Sequence, residues 1–138
     1  MNTMAQIEII LFLREVKLFQ YCSASEILGI AGIAHERVFP ADQTIYLPGD
    51  PTEFLFCVVE GHIQLEQPDE HGNSESKVLG PHEAFGHREI LSGRLRRGTA
   101  IAQTETRVLT IDSEDFFDLM ANNIEIVKAL FRKMLSPT

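Results

Sequence analysis

The sequence has no tryptophan, only two tyrosines and only two cysteines, and its cations are outnumbered twelve to twenty by aspartate and glutamate. Each shortage excludes something. Cys22 and Cys57 stand alone in apolar surroundings, so they offer neither a disulfide framework nor paired thiolate ligands. Both are expected to be reduced core residues of a cytoplasmic protein. A formal net charge of −8 leaves no basic stripe for a phosphate backbone and no electrostatic hold on anionic lipid. Neither nucleic acid nor membrane is therefore expected as a partner of this domain. No apolar run is long enough to cross a bilayer. The best candidate, "IEIILFLREVKLF" (Ile7 to Phe19), is interrupted by Glu8, Arg14, Glu15 and Lys17, and it lacks the basic start and small-residue cleavage site of a signal peptide.

Chemical motifs are also missing. None of His35, His62, His71, His82 and His87 forms an H-x-H or H-x-x-x-H pair, and no cysteine has a neighbouring partner, so no metal site is expected. There is no G-x-S-x-G elbow, and no spacing singles out a carboxylate and histidine pair. The chain is not read as an enzyme and no catalytic residue is assigned.

What is present suits one globular domain. The 138 residues are 44% apolar and 23% charged, enough to bury a core and too few for two comfortable domains. Ile7 to Phe19 reads as a buried or docking helix. Ser23 and Glu26 have capping-box spacing ahead of "ILGIAGIA", which predicts a second short helix ending near the glycines or His35. From there the period changes. "RVFPADQTIYLPGDPTEFLFCVVEGHIQLEQ" holds short runs rich in Val, Ile, Tyr and Phe between turn residues. "HIQLE" alternates and has one dry face, whereas "FLFCVV" (Phe54 to Val59) is continuously apolar and suits a strand covered on both sides. Gly49 and Gly61 mark tight turns and are expected at positive φ. Asp69 to Ser76 reads as a polar hairpin tip, "KVLG" as a strand, and "TAIAQTETRVLTID" as two strands meeting near Thr104 to Thr106. Asp112 or Ser113 caps "EDFFDLMA", and Asn122-Asn123 breaks it. The last segment carries an apolar stripe at Ile124, Val127, Leu130, Phe131 and Met134. The reading is α+β, mainly β: an antiparallel β-roll of jelly-roll type flanked by N-terminal and C-terminal helices. A single domain is expected over 1–138, with helices over about 5–35, the roll over about 36–112 and helices over about 113–135.

One stretch stands apart. Of the twelve cations, four (Arg88, Arg94, Arg96 and Arg97) fall within "AFGHREILSGRLRRGTA". The spacing predicts a short helix over about 86–92, beginning near Gly86 or His87. Free N–H groups at its start, a glycine admitting close approach, and Arg96 and Arg97 beyond the Ser92-Gly93 turn make a coherent anion site.

Three segments together resemble the cyclic nucleotide-binding domain, the sensor domain of catabolite-activator-type regulators, kinase regulatory subunits and gated channels. "FLREVKLFQYCSASEILGIA" is similar to that family's first helices. "TIYLPGDPTEFLFCVVEGHIQL" is similar to its strand–turn–strand signature, with Thr52 where a glycine is usual. "FGHREILSGRLRRGTAIAQTETRVLTID" resembles its phosphate-binding cassette and the two strands that follow. The resemblance runs from Phe12 to Leu135.

The resemblance implies a non-catalytic regulatory module whose ligand is cyclic AMP or cyclic GMP, with no further cofactor. Phe85 and Gly86 fall on the cassette's Phe-Gly and Arg96 on its phosphate-pairing arginine. Arg97 falls on a small residue, and Gly98 and Thr99 on the Ala-Thr that follows. His87 falls on the glutamate that accepts from the ribose 2′-hydroxyl, and Glu89 on a small residue beside Arg88. A neutral histidine is a weaker acceptor than a carboxylate, so the resemblance implies weakened or altered nucleotide affinity. Glu89 could pair with Arg96 or Arg88 and fill the pocket from within. Two alternatives stand beside this reading. One is a degenerate module that docks or forms a homodimer through its C-terminal helix without nucleotide. The other is the effector half of a larger transcription regulator, channel or transporter.

Overall fold

The computed structural model describes residues 3–136. The first helix, α1 (Gln6–Arg14), is shorter than its sequence implies. It gives way to a 3₁₀ turn, Lys17–Phe19. Burial explains the break. An α-helix continued from Leu13 would carry Lys17 and Gln20 inward, whereas the tighter turn buries Leu18 and Phe19 and leaves Lys17 and Gln20 exposed. The predicted capping box is formed. The Glu26 amide donates to the Ser23 hydroxyl, and the Glu26 carboxylate accepts from the Ser23 amide. It opens α2 (Ala24–Gly32), which stops at the glycine, so His35 lies in the first strand.

Eight strands follow: β1 (Ala34–Phe39), β2 (Thr44–Tyr46), β3 (Phe54–Glu60), β4 (Ile63–Pro68), β5 (Ser74–Leu79), β6 (Ala84–Phe85), β7 (Thr99–Ala102) and β8 (Thr106–Asp112). They form two antiparallel four-stranded sheets, ordered β1-β8-β3-β6 and β2-β7-β4-β5. Three helices complete the chain: α3 (His87–Ser92) between β6 and β7, and α4 (Ser113–Ala121) and α5 (Ile124–Leu135) after β8. β5 is longer than the predicted "KVLG". Its residues Ser74 to Lys77 pair with Leu65 to Pro68 of β4. Of these, Ser74 to Ser76 fall in the expected hairpin tip because their side chains are exposed, so only the backbone pairing marks them as strand.

The continuous apolar runs are explained by their position. On β3, Leu55 and Cys57 face the helices, while Phe56 and Val58 face the interior of the roll. β8 does the same with Leu109 and Ile111 on one face and Val108 on the other. A strand buried on both faces needs no polar alternation. One core lies between the helices and the β1-β8-β3-β6 sheet, around Leu13, Phe19, Ile30 and Phe116. The second fills the roll, around Phe39, Phe56, Phe85 and Val108.

Asp112 caps α4 by accepting from the Asp115 amide at 3.0 Å. α5 departs from its predicted stripe. Ile126, Ala129 and Leu130 are buried, while Ile124 and Phe131 are 64% and 63% exposed. The stripe therefore splits: Leu130 packs inward, and Ile124, Phe131 and Met134 turn outward. The short Asn122-Asn123 break sets the rotation of α5, and side-chain periodicity alone could not.

Candidate ligand site

The site begins at β6. Ala84 and Phe85 pair with Cys57 and Phe56 of β3, and the Phe85 ring stacks on Phe56 at 4.8 Å. This fixes where the chain leaves the sheet. Gly86 then turns it at φ 84°, and α3 starts at His87. A Cβ on Gly86 would stand 2.9 Å from Arg96 Nη1, so glycine meets two demands there, the left-handed backbone and the close approach. Gly93, at φ 70°, ends α3.

The main chain of Arg96 is held by the Gly49 loop. The Gly49 amide donates to the Arg96 carbonyl at 2.8 Å, and the Arg96 amide donates to the Asp50 carbonyl at 3.0 Å. Gly49 and Gly61 have the predicted positive φ. The Pro-Gly-Asp turn thus orients the cassette arginine, a role that its sequence did not announce. The Arg96 side chain is 2% exposed. Its Nη1 donates to the Gly86 carbonyl at 2.7 Å and to Glu89 Oε1 at 3.2 Å, and its Nη2 donates to the Phe54 carbonyl. It lies 4.2 Å over the Tyr46 ring. Burial pushes the Tyr46 phenol up to about 12, with Arg96 acting in the opposite direction. Of the predicted partners for Glu89, the structure realises Arg96; Arg88 and Arg94 are exposed.

His87 differs. Its Nδ1, like Arg96 Nε, is buried without a hydrogen-bond partner among the described residues, but His87 has no other side-chain bond to hold it. Burial first, then the positive charges of Arg88, Lys77 and Arg96, lowers its pKa to about 4. The ring is therefore neutral near pH 7, with one nitrogen able to accept and the other to donate.

His87 borders a cleft of about 400 Å³, within the roughly 300–1,000 Å³ of small-molecule sites. Phe85, Gly86, His87, Arg88 and Glu89 line it. Arg96 does not; it sits behind Glu89 and faces a smaller cavity with Asp50 and Glu53. Arg97 is exposed, and neither Gly98 nor Thr99 lines the cleft. Gly98 passes so close to β4 that an added Cβ would meet the Glu66 carbonyl at 2.1 Å, and Thr99 pairs with Glu66 across the sheet. The remaining wall comes from residues that sequence did not single out: Tyr46, Gln67, Lys77 and, from the last turn of α5, Met134. They lie far apart in the chain, and no local motif marks them. The cleft has a cationic rim of Lys17, Lys77, Arg88 and Lys133 in a chain that is otherwise acidic. Among the described residues no cluster of three His, Cys, Asp or Glu could hold a metal, and no helix is long and apolar enough to cross a membrane.

The cyclic nucleotide-binding domain family model matches residues 36–123. A cyclic nucleotide-gated potassium channel of Mesorhizobium japonicum is 32% identical over 118 residues, covering 86% of this chain and 31% of the channel. A CRP-like cAMP-activated global transcriptional regulator of Mycobacterium tuberculosis is 26% identical, covering 83% of this chain and 52% of the regulator. The crystal structure of the N-terminal domain of a Streptomyces coelicolor transcriptional regulator superposes with a TM-score of 0.74 at 25% identity, covering 89% of each chain. The chain spans about a third of the length of the bacterial channel and half that of the mycobacterial regulator.

Proposed function

The chain belongs to the cyclic nucleotide-binding domain family, and from that premise we propose that residues 1–138 act as one non-catalytic sensor module whose affinity for cyclic AMP or cyclic GMP is reduced. The observation that carries the reading is His87. It lies on the wall of the 400 Å³ cleft, neutral and with Nδ1 unpartnered, and the resemblance sets it on the family's glutamate. A ribose hydroxyl can satisfy that nitrogen. It does so without the charge assistance of a carboxylate, a loss of roughly 1.5–3 kcal/mol or about ten- to a hundred-fold in affinity. The phosphate is assigned to the Gly86 backbone and Arg96, with Arg88 and Lys77 at the mouth. Phe85 is the floor. Arg97, Gly98 and Thr99 support the strand behind the site. The module controls a larger effector, of which the related channel and the cAMP-activated regulator are examples.

Isothermal titration with cyclic AMP and cyclic GMP tests this. Weak binding is expected, tightened about ten-fold or more by His87→Glu, whose carboxylate would sit among Lys77, Arg88 and Arg96. No heat at millimolar nucleotide from either protein overturns the reading.

A second reading is favoured by α5. Its exposed Ile124, Phe131 and Leu135 give two copies of the chain an apolar surface on which to pair. Sedimentation equilibrium at micromolar concentration should then show a dimer that Phe131→Ser weakens; a monomer at every concentration removes this reading.

A further inference from the structure

We propose that Glu89 is a tethered competitor for the ligand's phosphate. The inference rests on the nucleotide reading above and concerns how the site is regulated. Among the described residues Glu89 is one of four buried polar or charged residues and lines the cleft, whereas Arg96 lies behind it. An anion entering from the cleft therefore meets the Glu89 carboxylate before it meets the guanidinium. The two anions would compete for one donor, Arg96 Nη1, and like charges at such separation repel.

The contact is built to be exchangeable. Only Oε1 of Glu89 reaches Arg96, at 3.2 Å, and it shares Nη1 with the closer Gly86 carbonyl at 2.7 Å. The Gly86 and Phe54 carbonyls and the Tyr46 ring hold the arginine independently of Glu89. Replacing the carboxylate by a phosphate oxygen would leave the arginine where it is. The main chain of Glu89 is likewise fixed, since its carbonyl accepts from the Arg94 amide at 2.9 Å, so the displacement needs only a side-chain rotation. The site thus carries its own counter-ion, and ligand binding is an exchange of anions at Arg96.

Glu89→Gln keeps the shape and removes the charge. Titrated with cyclic AMP, this variant should bind at least ten-fold tighter than the wild-type chain. Equal affinity overturns the proposal while leaving nucleotide binding intact. Lost affinity also overturns it, because Glu89 would then be a direct ligand contact. If neither protein binds cyclic AMP or cyclic GMP, the nucleotide reading fails and thermal melts decide about Glu89 separately. Inorganic phosphate should raise the melting temperature of Glu89→Gln more than that of the wild type at matched ionic strength, and equal shifts overturn the proposal. Should Glu89→Gln not fold, the wild-type chain provides the readout. Its Glu89 carboxyl carbon resonance should move on saturation with cyclic AMP, or with phosphate if no nucleotide binds; an unmoved resonance overturns the proposal.

Discussion

Arg96 and His87 lie nine residues apart and on opposite sides of Glu89, and they have met opposite fates. The surroundings of Arg96 are closed. Its Nη1 and Nη2 have two carbonyls and a carboxylate as partners, an aromatic ring lies against it, and only Nε is left buried and unpartnered among the described residues. The surroundings of His87 are open. It borders the cleft with a buried nitrogen that nothing in the chain satisfies. The residue that the resemblance sets on the phosphate-pairing arginine is thus committed through both Nη atoms to internal contacts, while the one it sets on the glutamate borders the cleft. A retained motif residue shows that an environment persists; whether the residue is accessible depends on what has changed beside it. Here that change is Glu89.

The contrast can be broken most forcefully at Arg96. Arg96→Ala removes every one of those contacts and leaves the Glu89 carboxylate buried and unpaired. The expected destabilisation is about 3–5 kcal/mol in urea unfolding. A loss below about 1 kcal/mol would mean that the closed side is not structural. Gly86→Ala tests the same region through the backbone. It forces an L-residue to φ 84° with its Cβ 2.9 Å from the guanidinium, at an expected cost of about 2–3 kcal/mol; an unchanged unfolding midpoint would show that the approach can relax freely.

The smallest effect belongs to the open side and is read through pH. The folded pKa of His87 is lowered from an ordinary 6.5 to about 4. Below pH 6.5 the unfolded chain takes up a proton that the folded chain refuses until about pH 4. The neutral ring's contribution is therefore fully present above pH 6.5 and is lost as pH falls toward 4. Between pH 7 and pH 4.5 the loss amounts to about 2.5 kcal/mol. His87→Gln should lose less stability than the wild type between pH 7 and pH 4.5. Parallel stability curves would show that His87 is solvated like a surface histidine.

Much of the architecture was legible because it rests on local chemistry. The capping box at Ser23 and Glu26, the Asp112 cap, the glycine turns at 49, 61 and 86 and the two-faced burial of "FLFCVV" are all consequences of side-chain type and near-neighbour spacing. β5 was only half visible, since an exposed edge strand has no hydrophobic period and is defined by hydrogen bonds to a partner. The Ile7 to Phe19 helix was overextended because composition cannot register that Leu18 and Phe19 are needed inward. The α5 stripe was misdirected because the face a helix buries depends on how it leaves the preceding one.

The site divides along the same line. Sequence by itself determined the local order of the site: Phe85 and Gly86 before a short helix that begins at His87, and Arg96 beyond the turn. It also raised the pairing of Glu89 with an arginine without choosing which. Only the tertiary structure decided that the partner is Arg96, that Gly49 and Asp50 hold that arginine's backbone, and that Tyr46, Gln67, Lys77 and Met134 close the cleft. The physical reason is range. Turns and helix starts are set by residues within one or two turns of chain, whereas an ion pair or a cavity wall is set by packing between strands and helices far apart in sequence.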